Sequence, residues 1–60
     1  MKPEELTDSA IDYIVAGMNT DRLNDWENDF FASISEQWER NRSLTERQKE
    51  ILGRIWDKQP

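Results

Sequence analysis

The stretch LNDWENDFFASI at residues 23–34 is followed by LTERQKEILGRI at residues 44–55, and the two align at an offset of 21 residues. Leucine aligns with leucine, Glu27 with Gln48, and the closing isoleucines with each other. Each stretch has a polar cap, an acidic first turn and then apolar positions, which is the usual chemistry of a helix start. We interpret the similarity as two helices that share this chemistry, with a short duplication as the alternative.

The first stretch predicts a helix over about residues 24–40. Asn24 is the N-cap, and Glu27, three residues later, completes a capping box. Beyond the cap, a large apolar residue recurs at every fourth position: Trp26, Phe30, Ile34 and Trp38. At helical spacing such residues form one stripe, which we expect to be the core of the domain. A ligand-binding or base-stacking platform is the alternative reading.

The second stretch predicts a helix over about residues 45–58. Thr45 is its N-cap and Gln48 its capping-box partner. Its apolar positions are Ile51, Leu52, Ile55 and Trp56. A polar run, Arg40–Ser43, separates the two helices and reads as a turn, so the second and third helices are expected to form an antiparallel hairpin.

A first helix is predicted over about residues 4–17. Pro3 suits a first helical turn, and Gly17 suits a helix end. In the alternative, Thr7 is the N-cap and Leu6 lies outside the helix. Since no segment alternates as a strand does, the sequence predicts an all-α fold: one domain, residues 1–60, of three helices.

Composition excludes several kinds of chemistry. The 60 residues include no cysteine and no histidine, and only two glycines. Disulfides, thiolate or imidazole metal sites, histidine-based catalysis and a glycine-rich phosphate loop are therefore not expected. We expect no catalytic residue, no cofactor and no metal, and hence no enzyme. The acidic N-terminus lacks a signal peptide's apolar region, and no apolar run reaches the ~20 residues that span a bilayer, so a cytoplasmic, non-membrane protein is expected.

A protein interface is predicted on the apolar face of the first helix together with the C-terminal tryptophan. The residues are Leu6, Ile11, Ile14, Val15, Met18 and Trp56. This face is wider than a short hairpin is expected to cover, and two-fold self-association would bury it. A homo-oligomer, such as a dimer, or a different protein partner would fit this pattern.

A nucleic-acid contact is the competing prediction. The basic residues of the second half are Arg40, Arg42, Arg47, Arg54 and Lys58. The net charge of −5 opposes binding to a polyanion. Because acids predominate before Ser35, an acidic mimic of DNA is a further alternative.

Between Leu23 and Lys58 the order of residues is L-N-x-W-E-x-x-F-x-x-S-I, then S-L-T-x-R-Q-x-x-I-L-x-x-I-x-x-K. This pattern resembles a short helical-hairpin segment that recurs in bacteriophage and prophage proteins, often as an appendage of DNA replication and recombination proteins. The resemblance implies a phage-type origin, action in the host cytoplasm and work near DNA metabolism through a protein partner. It implies no catalytic residue.

Overall fold

Three α-helices make up the fold in the computed structural model, which describes residues 3–59. They are α1 (Asp8–Gly17), α2 (Asp25–Asn41) and α3 (Glu46–Asp57). Short 3-10 turns, Pro3–Glu5 and Thr20–Arg22, precede α1 and α2. The described residues include no strand, so the prediction of an all-α, three-helix fold is confirmed.

The start of α1 follows the alternative boundary. The Thr7 hydroxyl oxygen accepts a hydrogen bond from the backbone N–H of Ala10 at 3.2 Å, which makes Thr7 the N-cap. The chain before it forms its own 3-10 turn, and Leu6, between the two, is buried. The estimate that the helix begins near residue 4 is therefore wrong.

The hairpin of α2 and α3 is antiparallel. Side chains near the end of α2 contact the start of α3, and side chains near the start of α2 contact the end of α3. Gln37, late in α2, and Gln48, early in α3, exchange amide hydrogen bonds of 3.0 and 3.1 Å. At the other end, the Lys58 ammonium donates to the Glu27 carboxylate at 3.4 Å. Glu27 and Gln48 are also the capping-box residues of α2 and α3. Each therefore stabilises the start of its own helix and also contacts the other helix.

The turn between α2 and α3 depends on Arg42. Its backbone is left-handed, with φ 53° and ψ 36°, and its N–H donates to the Trp38 carbonyl at 2.8 Å. This conformation ends α2 and reverses the chain, although a residue with a side chain adopts it at some cost. Thr45 then caps α3.

The core lies where the three helices and the first 3-10 turn meet. Its buried apolar residues are Leu6, Ile11, Ile14, Ile34, Trp38, Leu44, Leu52 and Ile55. Half-buried side chains that pack around it are Ala10, Val15, Met18, Phe30, Phe31 and Trp56. The apolar face of α1 is thus covered within one chain.

Trp26 does not belong to this core, contrary to the sequence prediction, and is 60% exposed. An α-helix turns about 100° per residue, so a step of four residues overshoots a full turn by about 40°. Three such steps separate Trp26 from Trp38, which is 2% exposed. The stripe therefore winds away from the core, and Trp26 comes to lie at the edge of the hairpin.

No helix among residues 3–59 combines the length and the apolar character needed to cross a bilayer.

Candidate functional site

The most prominent exposed apolar feature of α2 is a pair of stacked rings near its start. Trp26 and Phe30 lie almost parallel, with centroids 5.5 Å apart and an angle of 5° between the planes. Phe30 is half-buried and packs against the core, whereas Trp26 projects into solvent. The Phe30 ring therefore lies beside the indole in an offset stack, and most of the Trp26 side chain remains exposed to solvent.

Hydrogen bonds fix the helix turn that carries Trp26. The Asn24 side chain accepts from the Glu27 N–H at 2.8 Å, and the Glu27 carboxylate accepts from the Asn24 N–H at 3.0 Å. The Asn28 amide donates to the Leu23 carbonyl at 3.1 Å. The Asn24 N–H, followed by the Lys58 ammonium, lowers the pKa of Glu27 although burial opposes this. Glu27 therefore stays ionised to a lower pH than a glutamate without these contacts.

Acidic side chains border the exposed indole. Asp25 and Asp29 are exposed and lie one helical turn apart, so they are neighbours on the helix surface. Neither carboxylate has an ion-pair partner within residues 3–59. We call the group of Asp25, Trp26, Asp29 and Phe30 the Trp26 platform. It combines a supported aromatic surface with two uncompensated negative charges.

The predicted nucleic-acid residues do not form a free basic patch. Four of the five form ion pairs with carboxylates of the same chain: Arg40 with Glu36, Arg42 with Asp12, Arg54 with Glu50 and Lys58 with Glu27. Within the described range only Arg47 of this set is exposed without such a pair. A phosphate would have to compete with these carboxylates for most of the positive charge.

The predicted interface residues lie mainly inside the fold. Leu6, Ile11 and Ile14 are buried, so in this folded chain they are not available as a contact surface. The other three, Val15, Met18 and Trp56, are half-buried. Leu6 and the apolar face of α1 thus pack against the hairpin in one core, and that face does not lie uncovered as the sequence prediction of self-association required.

Trp56 is partly shielded by Tyr13, which the sequence analysis did not single out. The Tyr13 ring stands edge-on to Trp56, with centroids 5.7 Å apart and an angle of 87° between the planes. Tyr13 itself is 70% exposed. Among residues 3–59, the exposed aromatic side chains are Tyr13 on α1 and Trp26 on α2, and the sequence pattern predicts neither of them at the surface.

One polar cluster ties α1 to the hairpin. The Asp12 carboxylate accepts from the Trp38 indole N–H at 2.9 Å and from both terminal nitrogens of the Arg42 guanidinium at 2.7 and 2.9 Å. The guanidinium carbon lies 4.4 Å from the centroid of the Trp38 ring. Hydrogen bonds from Arg42 and then Trp38 lower the pKa of Asp12 from 3.8 to about 2.

Acid should weaken the fold through Asp12 in a defined interval. A carboxyl with a depressed folded-state pKa stabilises the fold above its unfolded pKa, and this contribution is lost as pH falls to the folded pKa. For Asp12 the interval runs from about pH 3.8 to about pH 2. We expect the stability of the wild type to fall towards that of Asp12→Asn across this interval, measured by urea unfolding at several pH values. A constant difference between the two proteins from neutral pH to pH 2 would contradict the assignment.

The described residues bring no three acidic side chains together in an arrangement that could hold a metal ion, and they enclose no detected cavity. No protein-family model, curated protein or solved structure matches this chain, so the likeness to the phage segment stays a prediction from the sequence.

Proposed function

We propose that this protein is a non-enzymatic binding module that docks a protein partner on the Trp26 platform. The observation that carries the proposal is the exposed indole stacked on the half-buried Phe30. Tryptophan is enriched among the residues that dominate binding energy at protein interfaces. A ring that is already held in place loses little conformational entropy when it is covered, which favours binding further.

The charge distribution favours a protein over a nucleic acid as the partner. Asp25 and Asp29 lie near the exposed indole on the surface of α2, and phosphates would be repelled there. The arginines that could attract phosphate are largely engaged by carboxylates of the same chain. A partner with positive charge around an apolar site fits both observations.

The resemblance of residues 23–58 to the phage helical-hairpin segment supports a proposal for the class of partner and for where the two proteins meet. On that basis we propose a phage-type protein that acts in the host cytoplasm on host or phage machinery of DNA metabolism. The acidic platform also fits a DNA mimic, which would occupy the basic DNA site of such a protein. A competition experiment with DNA distinguishes the two cases. A DNA mimic would displace DNA from the recovered partner, whereas a protein that docks elsewhere on the partner would not.

Capture of a partner from nuclease-treated bacterial lysate tests the proposal. We expect Trp26→Ala to weaken the affinity of the recovered partner on the order of thirtyfold, since interface tryptophans contribute about 2 kcal/mol or more. The matched control is Tyr13→Ala, which removes the other exposed aromatic ring from a different helix. It should leave the affinity unchanged.

Equal binding by wild type and Trp26→Ala would overturn the proposal, provided that far-UV circular dichroism shows both to be folded. Loss of binding in Tyr13→Ala alone would place the contact surface on α1 instead. Recovery only of a second copy of the chain, sensitive to Trp26→Ala, would make the platform a self-association surface and would contradict the proposal of a different partner.

A further inference from the structure

The Asp12 cluster shows how this chain binds an arginine. Three components take part: an indole ring, a carboxylate beside it and a guanidinium. Arg42 lies over the Trp38 ring and donates two hydrogen bonds to Asp12. A guanidinium suits this arrangement because it is flat, always charged and carries donors in a fixed fork.

The Trp26 platform has two of the same three components. It offers an indole that is 60% exposed, and it offers the exposed carboxylates of Asp25 and Asp29 within one helical turn of Trp26. Among residues 3–59, the only cation recorded over an aromatic ring is Arg42 on Trp38. The described part of the chain thus supplies a guanidinium for Trp38 and none for Trp26.

We propose that the Trp26 platform binds an arginine of the partner protein. Its guanidinium lies on the exposed face of Trp26 and donates to the carboxylates of Asp25 and Asp29. The inference rests on the proposed function and adds the chemical class of the partner: a segment rich in arginine. The net charge of −5 draws such a segment towards the chain as a whole.

Arginine is favoured over lysine for a geometrical reason. The guanidinium plane can stack on the indole while its edge donates to carboxylates, whereas an ammonium is a compact, strongly hydrated charge without that flat face. The two ligands carry equal charge, so general attraction to an acidic protein does not distinguish them. A preference for arginine over lysine would therefore reflect binding at the Trp26 platform and not general electrostatic attraction.

The test is a titration of the isotope-labelled protein with a short arginine-rich peptide and with the same peptide carrying lysine at every arginine. The three tryptophans give separate indole N–H signals in a nitrogen–proton correlation spectrum. We expect the arginine peptide to bind more tightly than the lysine peptide. It should shift the Trp26 signal, assigned by its loss in Trp26→Ala, and leave the buried Trp38 signal in place.

Two double variants of equal charge change separate the platform from general electrostatics. Asp25→Asn with Asp29→Asn should weaken binding of the arginine peptide by about tenfold or more, because charge-assisted hydrogen bonds are lost. Glu39→Gln with Glu46→Gln removes two exposed carboxylates elsewhere and should have a much smaller effect. Both variants are checked for an unchanged melting temperature.

Equal weakening by the two double variants, or equal affinity for the arginine and lysine peptides, would overturn the inference. The proposed function can fail separately. If Trp26→Ala releases the captured partner but no peptide shifts the Trp26 signal, docking on the platform stands and the arginine inference is wrong. If the partner binds Trp26→Ala as well as wild type, the proposed function is wrong whatever the peptide does.

Discussion

Replacing Trp38 with alanine is expected to remove a large part of the stability of the fold. Trp38 is 2% exposed and lies in the core. Truncating a buried tryptophan costs about 3–5 kcal/mol through lost burial and the cavity that remains. The stability of a chain this short is itself only about 3–9 kcal/mol at roughly 0.05–0.15 kcal/mol per residue. The substitution also removes the indole donor to Asp12 and the ring beneath Arg42.

Far-UV circular dichroism during urea unfolding measures this loss, and two variants serve as controls. Trp38→Phe keeps an aromatic ring and removes the indole N–H, so it should be destabilised by clearly less than Trp38→Ala. Trp26→Ala removes the same type of side chain from an exposed position, where it loses the stack on Phe30 but leaves the core filled, and should lower the free energy of unfolding by clearly less than Trp38→Ala. A similar loss in Trp26→Ala and Trp38→Ala would contradict the placement of the two rings.

Leu52→Ala is expected to lower the free energy of unfolding by about 2–5 kcal/mol, the usual range for a buried leucine. Leu52 is fully buried, at 0% exposure, on α3, where that helix faces the rest of the core. The matched control is Leu23→Ala, which makes the same substitution at a half-buried residue just before α2. Its smaller buried area predicts a smaller loss.

Thermal and urea unfolding of the two leucine variants give the comparison. A larger loss for Leu23→Ala than for Leu52→Ala would mean that α3 does not pack as described. Leu23 also takes part in the internal similarity of the sequence, where it aligns with Leu44. Leu44 is buried, whereas Leu23 is only half-buried. The two helix starts share their caps and differ in how deeply the preceding leucine enters the core.

The helices and the hairpin could be predicted because their signals are local. Asn24 with Glu27, and Thr45 with Gln48, form the capping boxes that the spacing indicated. The start of α1 has two competing signals, because Pro3 and Thr7 both favour a helix start, and the chain uses them for two successive elements, a 3-10 turn and then α1. Local helix propensity alone does not decide which of these two residues begins the α-helix.

The exposure of particular side chains could be predicted only in part. Trp26 was assigned to the core because residues at every fourth position were treated as one stripe, whereas the stripe turns by about 40° per step. Adding up the rotation per residue along α2 places Trp26 and Trp38 at different angles around the helix axis. The pairing of Asp12 with Arg42, 30 residues apart, depends on how α1 crosses the hairpin, and the sequence pattern carries no signal for that.

We propose Trp26, and not the face of the first helix, as the surface that this protein offers to a partner. The most direct test is to titrate the recovered partner into isotope-labelled protein and follow the three indole N–H signals. We expect the Trp26 signal to shift or broaden in step with binding, while the Trp38 signal keeps its position. A complex that forms with the Trp26 signal unchanged would contradict it.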